Sequence, residues 1–176
     1  MPNIDTLKRI ENFFHLANEK IYNNEEKVIC RKGKKETISG FCTILQTLLD
    51  NTHEVAKNSK ASFEIQAQVQ SWIDYASLYI YAGKEDKHIC KQLLQELNSY
   101  LEDKSYFVGQ SLTVADIAVF YTIYDLMKRQ TPLEKENLLN LSRWFDHLQQ
   151  IDDIRQNLEQ INFTTIYLHG WATGTR

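Results

Sequence analysis

The chain has 176 residues, 43% of them hydrophobic and 24% charged, and a formal net charge of −3. That length buries a core without disulfide or metal staples, and the acidic balance argues against broad electrostatic binding to nucleic acid while leaving local patches open. No apolar run reaches the length of a membrane span, and the first ten residues carry charges where a signal peptide needs an apolar core. With only six Gly and two Pro, the composition predicts a soluble, cytosolic, mostly helical protein.

Ile4, Leu7, Ile10, Phe14 and Ala17 recur at three- and four-residue steps with Phe13 beside them, which predicts an amphipathic helix over residues 4–19. Residues 27–38 read as a short hairpin. Val28, Ile29 and Cys30 make a strand-sized run, Arg31 to Lys35 a basic turn, and Glu36, Thr37 and Ile38 the return. The basic turn is read as a solvated loop rather than a contact for nucleic acid or an acidic partner, since no aromatic side chains stand beside it for stacking. Ser39 is placed to cap the next helix, whose stripe is Phe41, Ile44, Leu45, Leu48 and Leu49. Cys42 lies in that helix without a neighbouring His or cation and is read as a plain thiol. The polar residues 51–61 are the expected linker between two domains.

Beyond the linker, Ile65, Val69, Trp72, Ile73, Ala76 and Ile80 predict a helix over 62–81, ending near Gly83. Ile89, Leu93, Leu97, Tyr100 and Leu101 predict another over 84–103. The helix after it organises the rest. Thr113 is a good N-cap, Asp116 three residues on reaches the Thr113 backbone N–H as in a capping box, and Leu112 and Ile117 form a staple. From Val114 to Tyr124 this helix is apolar nearly all round, which marks a helix enclosed by others. A carboxylate at its start is satisfied by free backbone donors and favoured by the dipole, so Asp116 is read as structural and not catalytic. After Thr131 and Pro132 a shorter helix carries Leu133, Leu138 and Leu139, residues 141–148 make another, and Asp153 starts a last one through Ile154 and Leu158. Residues 162–176 have no period and read as a strand-like or frayed tail.

Chemistry-bearing patterns are sparse. Cys30, Cys42 and Cys90 are an odd number without CxxC spacing, and the five histidines form no ligand pair, so neither metal nor cofactor is expected. No GxGxxG, P-loop or GxSxG sequence occurs.

Gly109, Thr113, Ala115 and Asp116, with Leu112 in the apolar position, resemble the N-capping motif of the glutathione transferase C-terminal domain. The order of helix, hairpin, helix, linker and a run of helices is similar to that fold across residues 4–160. The resemblance implies a mostly α, glutathione transferase-like chain: a reduced thioredoxin-like α/β unit at 1–50, a linker at 51–61, an all-helical domain at 62–161 and a tail at 162–176. The chain departs from the family by opening with a helix instead of the strand that bears the thiol-activating residue. It also has no proline before the hairpin, where the family places a cis-proline against glutathione. Glu36 and Thr37 stand where an acidic-hydroxyl pair would hold the tripeptide. Thiolate activation needs a donor and a pocket, and both are missing, which leaves a divergent glutathione-dependent transferase as the alternative to a non-enzyme.

Residues 97–104, 109–116 and 140–145 also keep the order and spacing of a narrower group. They look like the epsilon-type elongation factor 1 family, the proteins of aminoacyl-tRNA synthetase complex-interacting multifunctional protein 3. That resemblance implies a non-catalytic scaffold of the multi-aminoacyl-tRNA synthetase complex, pairing with methionyl-tRNA synthetase, glutamyl-prolyl-tRNA synthetase and other transferase-like domains. No cofactor, membrane attachment or direct nucleic-acid contact is implied. The implied location is the cytoplasm, with a second role in the nucleus in DNA-damage signalling. By the same resemblance, one face uses the helix after Ser39 and the first helix beyond the linker, where Gln68, Ser71 and Tyr75 fall off the core stripe. The other centres on Arg143, with Trp144 and Phe145 as packing anchors. The alternative keeps both aromatics in the core and pairs Arg143 with an internal carboxylate.

Overall fold

The computed structural model describes residues 4–16, 19–33, 36–51, 63–80, 83 and 86–163. The elements in order are α1 (Ile4–Phe13), β1 (Lys20–Asn23), β2 (Ile29–Lys32), β3 (Thr37–Ser39), α2 (Phe41–Asn51) and α3 (Phe63–Tyr75), which continues as a π-helical turn (Ala76–Ile80). Then follow α4 (Lys87–Tyr100), α5 (Val114–Arg129), α6 (Pro132–Asn137), α7 (Leu139–Gln149) and α8 (Asp152–Arg155). Helix dominates, as the composition predicts, and the expected linker falls almost wholly outside the described residues, with Asn51 ending α2.

The first helix is shorter than its apolar period. It stops at Phe13, and His15 adopts φ 50°, a left-handed turn that ends helical bonding; Ala17 lies outside the described residues. Just beyond the expected helix, Lys20–Asn23 make β1, a strand the sequence reading missed. The sheet is an antiparallel meander in the order β1-β2-β3, with Ile21 opposite Arg31 and Tyr22 opposite Cys30. The parallel pair of a βαβ unit is not found among the described residues.

Two expectations about this region are corrected. Arg31 belongs to strand β2, not to a solvated turn, and it is buried, with Nε 2.6 Å from Glu11 and Nη1 2.8 Å from Glu19. Period-two alternation turns it inward, where α1 supplies the counter-charge. Lys34 and Lys35 lie outside the described residues. Second, Gly40 and not Ser39 opens α2. Its carbonyl accepts from Ile44 N at 3.0 Å and its N–H donates to Ile29 O at 2.8 Å, while Ser39 stays paired to Cys30 in the sheet. Gly40 sits at φ 94°, which side-chain-bearing residues rarely adopt.

Helix α5 is the centre of the molecule, with 13 of its 16 residues buried against α1, α3 and the π turn. Each fully buried Phe, Ile or Val there is worth roughly 1.5–3 kcal/mol of transfer free energy, so no other helix rivals its share of the core. Its start is fixed as the sequence predicts. Thr113 and Asp116 form the capping box, and Asp116 Oδ2 accepts from Thr113 N at 2.9 Å and Oγ1 at 2.8 Å. The carboxylate does more than cap. Its Oδ1 accepts from Phe107 N at 2.9 Å and Trp144 Nε1 at 3.1 Å, joining the preceding loop and α7 to the same two oxygens. Burial pushes the Asp116 carboxyl above the ordinary range, and these four donors pull it back. Gly109 turns the loop toward the cap at φ 66°; a Cβ there would meet no atom, so its dihedral and not its space calls for glycine.

The helices on either side of α7 are shorter than expected, while α7 itself runs past the expected 141–148 at both ends. No residue of α6 is buried, and Leu133 and Leu139 are both exposed, leaving Leu138 alone of the three in the core. Gln156, at φ 51°, ends α8 before Leu158. The extended segment that follows is held by side chains. Tyr121 donates to Ile154 O at 2.6 Å, Tyr124 to Glu159 O at 2.7 Å, and Gln149 exchanges two bonds with the backbone of Ile161. Phe163 packs on Phe145, and the remainder of the expected tail lies outside the described residues.

Candidate partner-binding faces

Only Ile73 is buried among the 13 residues of α3. Residues 63–68 are exposed one after another, so the first turn and a half of this helix is covered on no side, and Phe63 is 91% exposed. Ile65, expected in the core stripe, is therefore on the surface. The core stripe proper begins at Val69 and Trp72 and runs through Ile73, Ala76 and Ile80.

Gln68, Ser71 and Tyr75 fall on one side of α3 at three- and four-residue steps. Gln68 and Ser71 are exposed, and the Ser71 hydroxyl donates to Ala67 O at 2.9 Å within its own helix. Tyr75 is half-buried. Its hydroxyl donates to Glu96 of α4 at 3.1 Å, and burial together with that carboxylate pushes the phenol up to about 12. The line continues onto the π turn, where Leu78 is 64% and Tyr79 63% exposed, with Tyr79 stacked on Tyr75 at 5.5 Å. A π turn spends an extra residue on one turn, and a 3.6-residue period does not foresee where the side chains then point. Leu78 and Tyr79 were accordingly missed as surface residues, while Ala76 and Ile80 sit in the core as predicted.

Helix α2 adjoins this surface through Cys42, whose Sγ lies 3.3 Å from Ser77 Oγ. Burial raises the Cys42 thiol, the opposite of what a reactive thiolate needs. Glu36 and Thr37 are both exposed, Thr37 being paired with Lys32 at the sheet edge.

The second line is on α7. Leu139 (69% exposed), Arg143 and His147 succeed one another at four-residue steps on its outer side. Arg143 Nη2 donates to the carbonyls of Leu101 and Lys104, each at 3.0 Å. Its internal partners are thus carbonyls following α4, where a cation is favoured, and not the carboxylate that one reading expected. Trp144 and Phe145 are not available as anchors. They are 1% and 0% exposed, Trp144 bonded to Asp116 and Phe145 stacked on Phe120 at 4.4 Å. Leu139 takes their place as the exposed apolar neighbour. His147 Nε2 lies 3.1 Å from Tyr106 Oη.

Asn98 positions this helix. Its Oδ1 accepts from Asn140 N at 2.9 Å and Leu141 N at 3.1 Å, supplying from α4 the cap that Leu138 cannot. Caps are legible in sequence when they precede their helix, and this one comes from a residue 42 positions upstream.

Among the described residues no group of His, Cys, Asp and Glu could hold a metal ion, and no helix is long and apolar enough to cross a membrane. A model of the Arc1p N-terminal-like family, described as nuclear-export cofactor Arc1p, matches residues 65–152 and so contains Gln68, Ser71, Tyr75, Thr113, Asp116 and Arg143. Eukaryotic translation elongation factor 1 epsilon-1 of Cricetulus griseus is 40% identical over 134 residues, which make up 72% of this chain and 72% of that protein. The chain belongs to the elongation factor 1 epsilon family. The Homo sapiens member is 38% identical over 130 residues, again 72% of each chain. The cytoplasmic glutamate–tRNA ligase of Arabidopsis thaliana is 29% identical over 101 residues, but these are only 13% of its length, so the likeness is to one part of that enzyme.

Proposed function

We propose that this member of the epsilon family is a non-catalytic scaffold of the multi-aminoacyl-tRNA synthetase complex. It supports translation by bridging methionyl-tRNA synthetase and glutamyl-prolyl-tRNA synthetase through pairing of transferase-like domains. The observation that carries the reading is the pair of exposed lines on different helices. One runs from Ile65 along α3 to Tyr79, and the other is Leu139, Arg143 and His147 on α7. A chain with two unlike docking faces joins two different partners, whereas a single self-complementary face closes a dimer. On the first line Phe63, Leu78 and Tyr79 supply apolar anchors around Gln68 and Ser71. On the second, two backbone carbonyls hold one nitrogen of Arg143, so the planar group is oriented before a partner carboxylate meets its remaining donors.

In this reading the chain has a glutathione transferase-like layout. A reduced thioredoxin-like unit takes residues 1–50, a linker 51–61, a helical domain 62–161 and a tail 162–176. Other transferase-like domains of the complex are further partners. The protein works in the cytoplasm, and in DNA-damage signalling in the nucleus. The competing reading, a divergent glutathione-dependent transferase, draws no support from Cys42, because its thiol is shifted away from the thiolate.

The test is affinity isolation of the tagged full chain from its own cells at moderate salt, with mass spectrometry of what copurifies, beside Arg143→Ala. Both synthetases are expected with the wild type, and one of them is expected to be lost from the variant. Recovery of neither would remove the scaffold reading. A melting point raised by millimolar glutathione would favour the transferase instead.

A further inference from the structure

Helix α1 and the sheet meet at a buried ion cluster whose charges do not balance. The Glu11 side chain is fully buried with Oε1 2.6 Å from Arg31 Nε, and the same guanidinium lies 2.8 Å from Glu19 through Nη1. The Arg31 and Glu19 side chains are only 10% and 22% exposed. One cation therefore serves two carboxylates, and with both ionised the cluster keeps an uncompensated negative charge. Glu11 Oε2 is buried without a hydrogen-bond partner, and Glu19 Oε2 has charge contact with Arg31 but no aligned hydrogen bond. Among the described residues the one further charged group acting on Glu11 is Lys8, exposed on its own helix. A buried charge without a counter-ion sheds its charge before it stays ionised, and a neutral hydroxyl left unpaired costs less than an anion.

We propose that Glu11 carries a proton on Oε2 in the folded chain, above the pH at which a free glutamate has lost it, and that releasing this proton weakens the attachment of the sheet to α1. The proton comes from solvent and converts the carboxylate to a carboxyl, so the Glu11–Arg31–Glu19 cluster becomes neutral overall. Burial, the largest influence, and Glu19 push the Glu11 carboxyl up from its ordinary value, while Arg31 and Lys8 pull it down. Folding then takes up a proton. The contribution to stability is complete below the unfolded value of 4.5 and is lost as pH rises through the higher folded value. Since α1 also packs on α5 and α8, the sheet is the side that loosens.

Urea unfolding of the full chain from about pH 4 to pH 8 tests this on wild type, Glu11→Gln and Glu19→Gln. Relative to Glu11→Gln, the wild-type folding constant is expected to fall by up to about tenfold per pH unit within the window. Glu19→Gln, which leaves one carboxylate per guanidinium, is expected to make that slope shallower without removing it, because burial outweighs Glu19. Parallel curves for wild type and Glu11→Gln would overturn the proposal. Should Glu11→Gln fail to fold, infrared spectra of wild type and Glu19→Gln decide it. A protonated-carboxyl band that persists as pH rises above 4.5 and is stronger in the wild type supports the proposal. Equal bands overturn it, since the buried Asp116 contributes to both alike.

Discussion

Helices α5 and α3 are both rich in apolar side chains, yet 13 of 16 residues are buried in the first and one of 13 in the second. On α5 every face has a neighbour from the same chain, and the polar groups at its start are satisfied by the Asp116 carboxylate. On α3 only the stripe toward α5 is covered, and the helix leaves Phe63, Ile65 and, on its π turn, Leu78 and Tyr79 against water. Single apolar side chains on a surface are ordinary, but four on one helix make it the place to test for a partner. Apolar content thus tells which helices bury something; what the chain itself supplies tells whether the burial is internal or left to a partner.

The sharpest way to break this contrast is at Asp116. Replacement by alanine leaves Phe107 N, Thr113 N and Trp144 Nε1 without their acceptor, with Phe107 and Trp144 fully buried and Thr113 partly so. We expect a loss of about 3–5 kcal/mol, a large share of the stability of a domain this size, measured by urea or thermal unfolding. A loss under about 1 kcal/mol would mean that water replaces the carboxylate and that α5 is not the fixed centre. Asn98→Ala probes the same dependence at α7 and should cost about 1 kcal/mol, the usual worth of a helix cap. An unchanged melting curve would show that Asn140 and Leu141 find solvent instead.

Substitutions on the exposed line should behave in the opposite way. Phe63→Ser with Leu78→Ser removes large side chains that touch little of their own chain, so stability is expected to stay within about 0.5 kcal/mol of the wild type. Partner recovery in affinity isolation should fall strongly. A marked loss of stability with partner recovery unchanged would place both side chains in an internal cluster and remove the first face.

The same contrast explains what the sequence made legible. The capped start of α5 was readable because Thr113, Asp116 and Leu112 are local signals, and local geometry decides them. The core stripes were readable where a regular period persists, as from Val69 to Ile73 and from Leu93 to Leu97. Three features were not. Strand β1 lay hidden because only Ile21 of its four residues is buried, too short an alternation to read as a strand. The buried ion cluster depends on Glu11, Glu19 and Arg31 meeting across separate elements. At the candidate faces, Gln68, Ser71 and Arg143 were found on the surface as expected. Of the two readings of Trp144 and Phe145, the one that keeps them in the core holds and the anchor reading does not, since adjacent residues on a helix point in different directions and the neighbours of α7 decide which side is inner.

Tyr75 tests where the internal part of α3 ends and the docking line begins. Its hydroxyl is bonded to Glu96, and the phenol is held at about 12, above the ordinary value of about 10 for a tyrosine. Burial favours the neutral phenol over the phenolate. Its contribution to stability is therefore present below about pH 10 and lost as pH rises through the folded value. In an absorbance titration from about pH 9 to pH 11, wild type and Tyr75→Phe should develop nearly the same tyrosinate signal, because Tyr75 stays neutral there. At neutral pH the substitution should cost less than about 1 kcal/mol, as expected for one hydrogen bond at a solvated edge. If the variant instead lacks a tyrosinate step near pH 10, the hydroxyl faces water, Glu96 does not hold it, and Tyr75 joins Gln68 and Ser71 among the groups free to meet a partner.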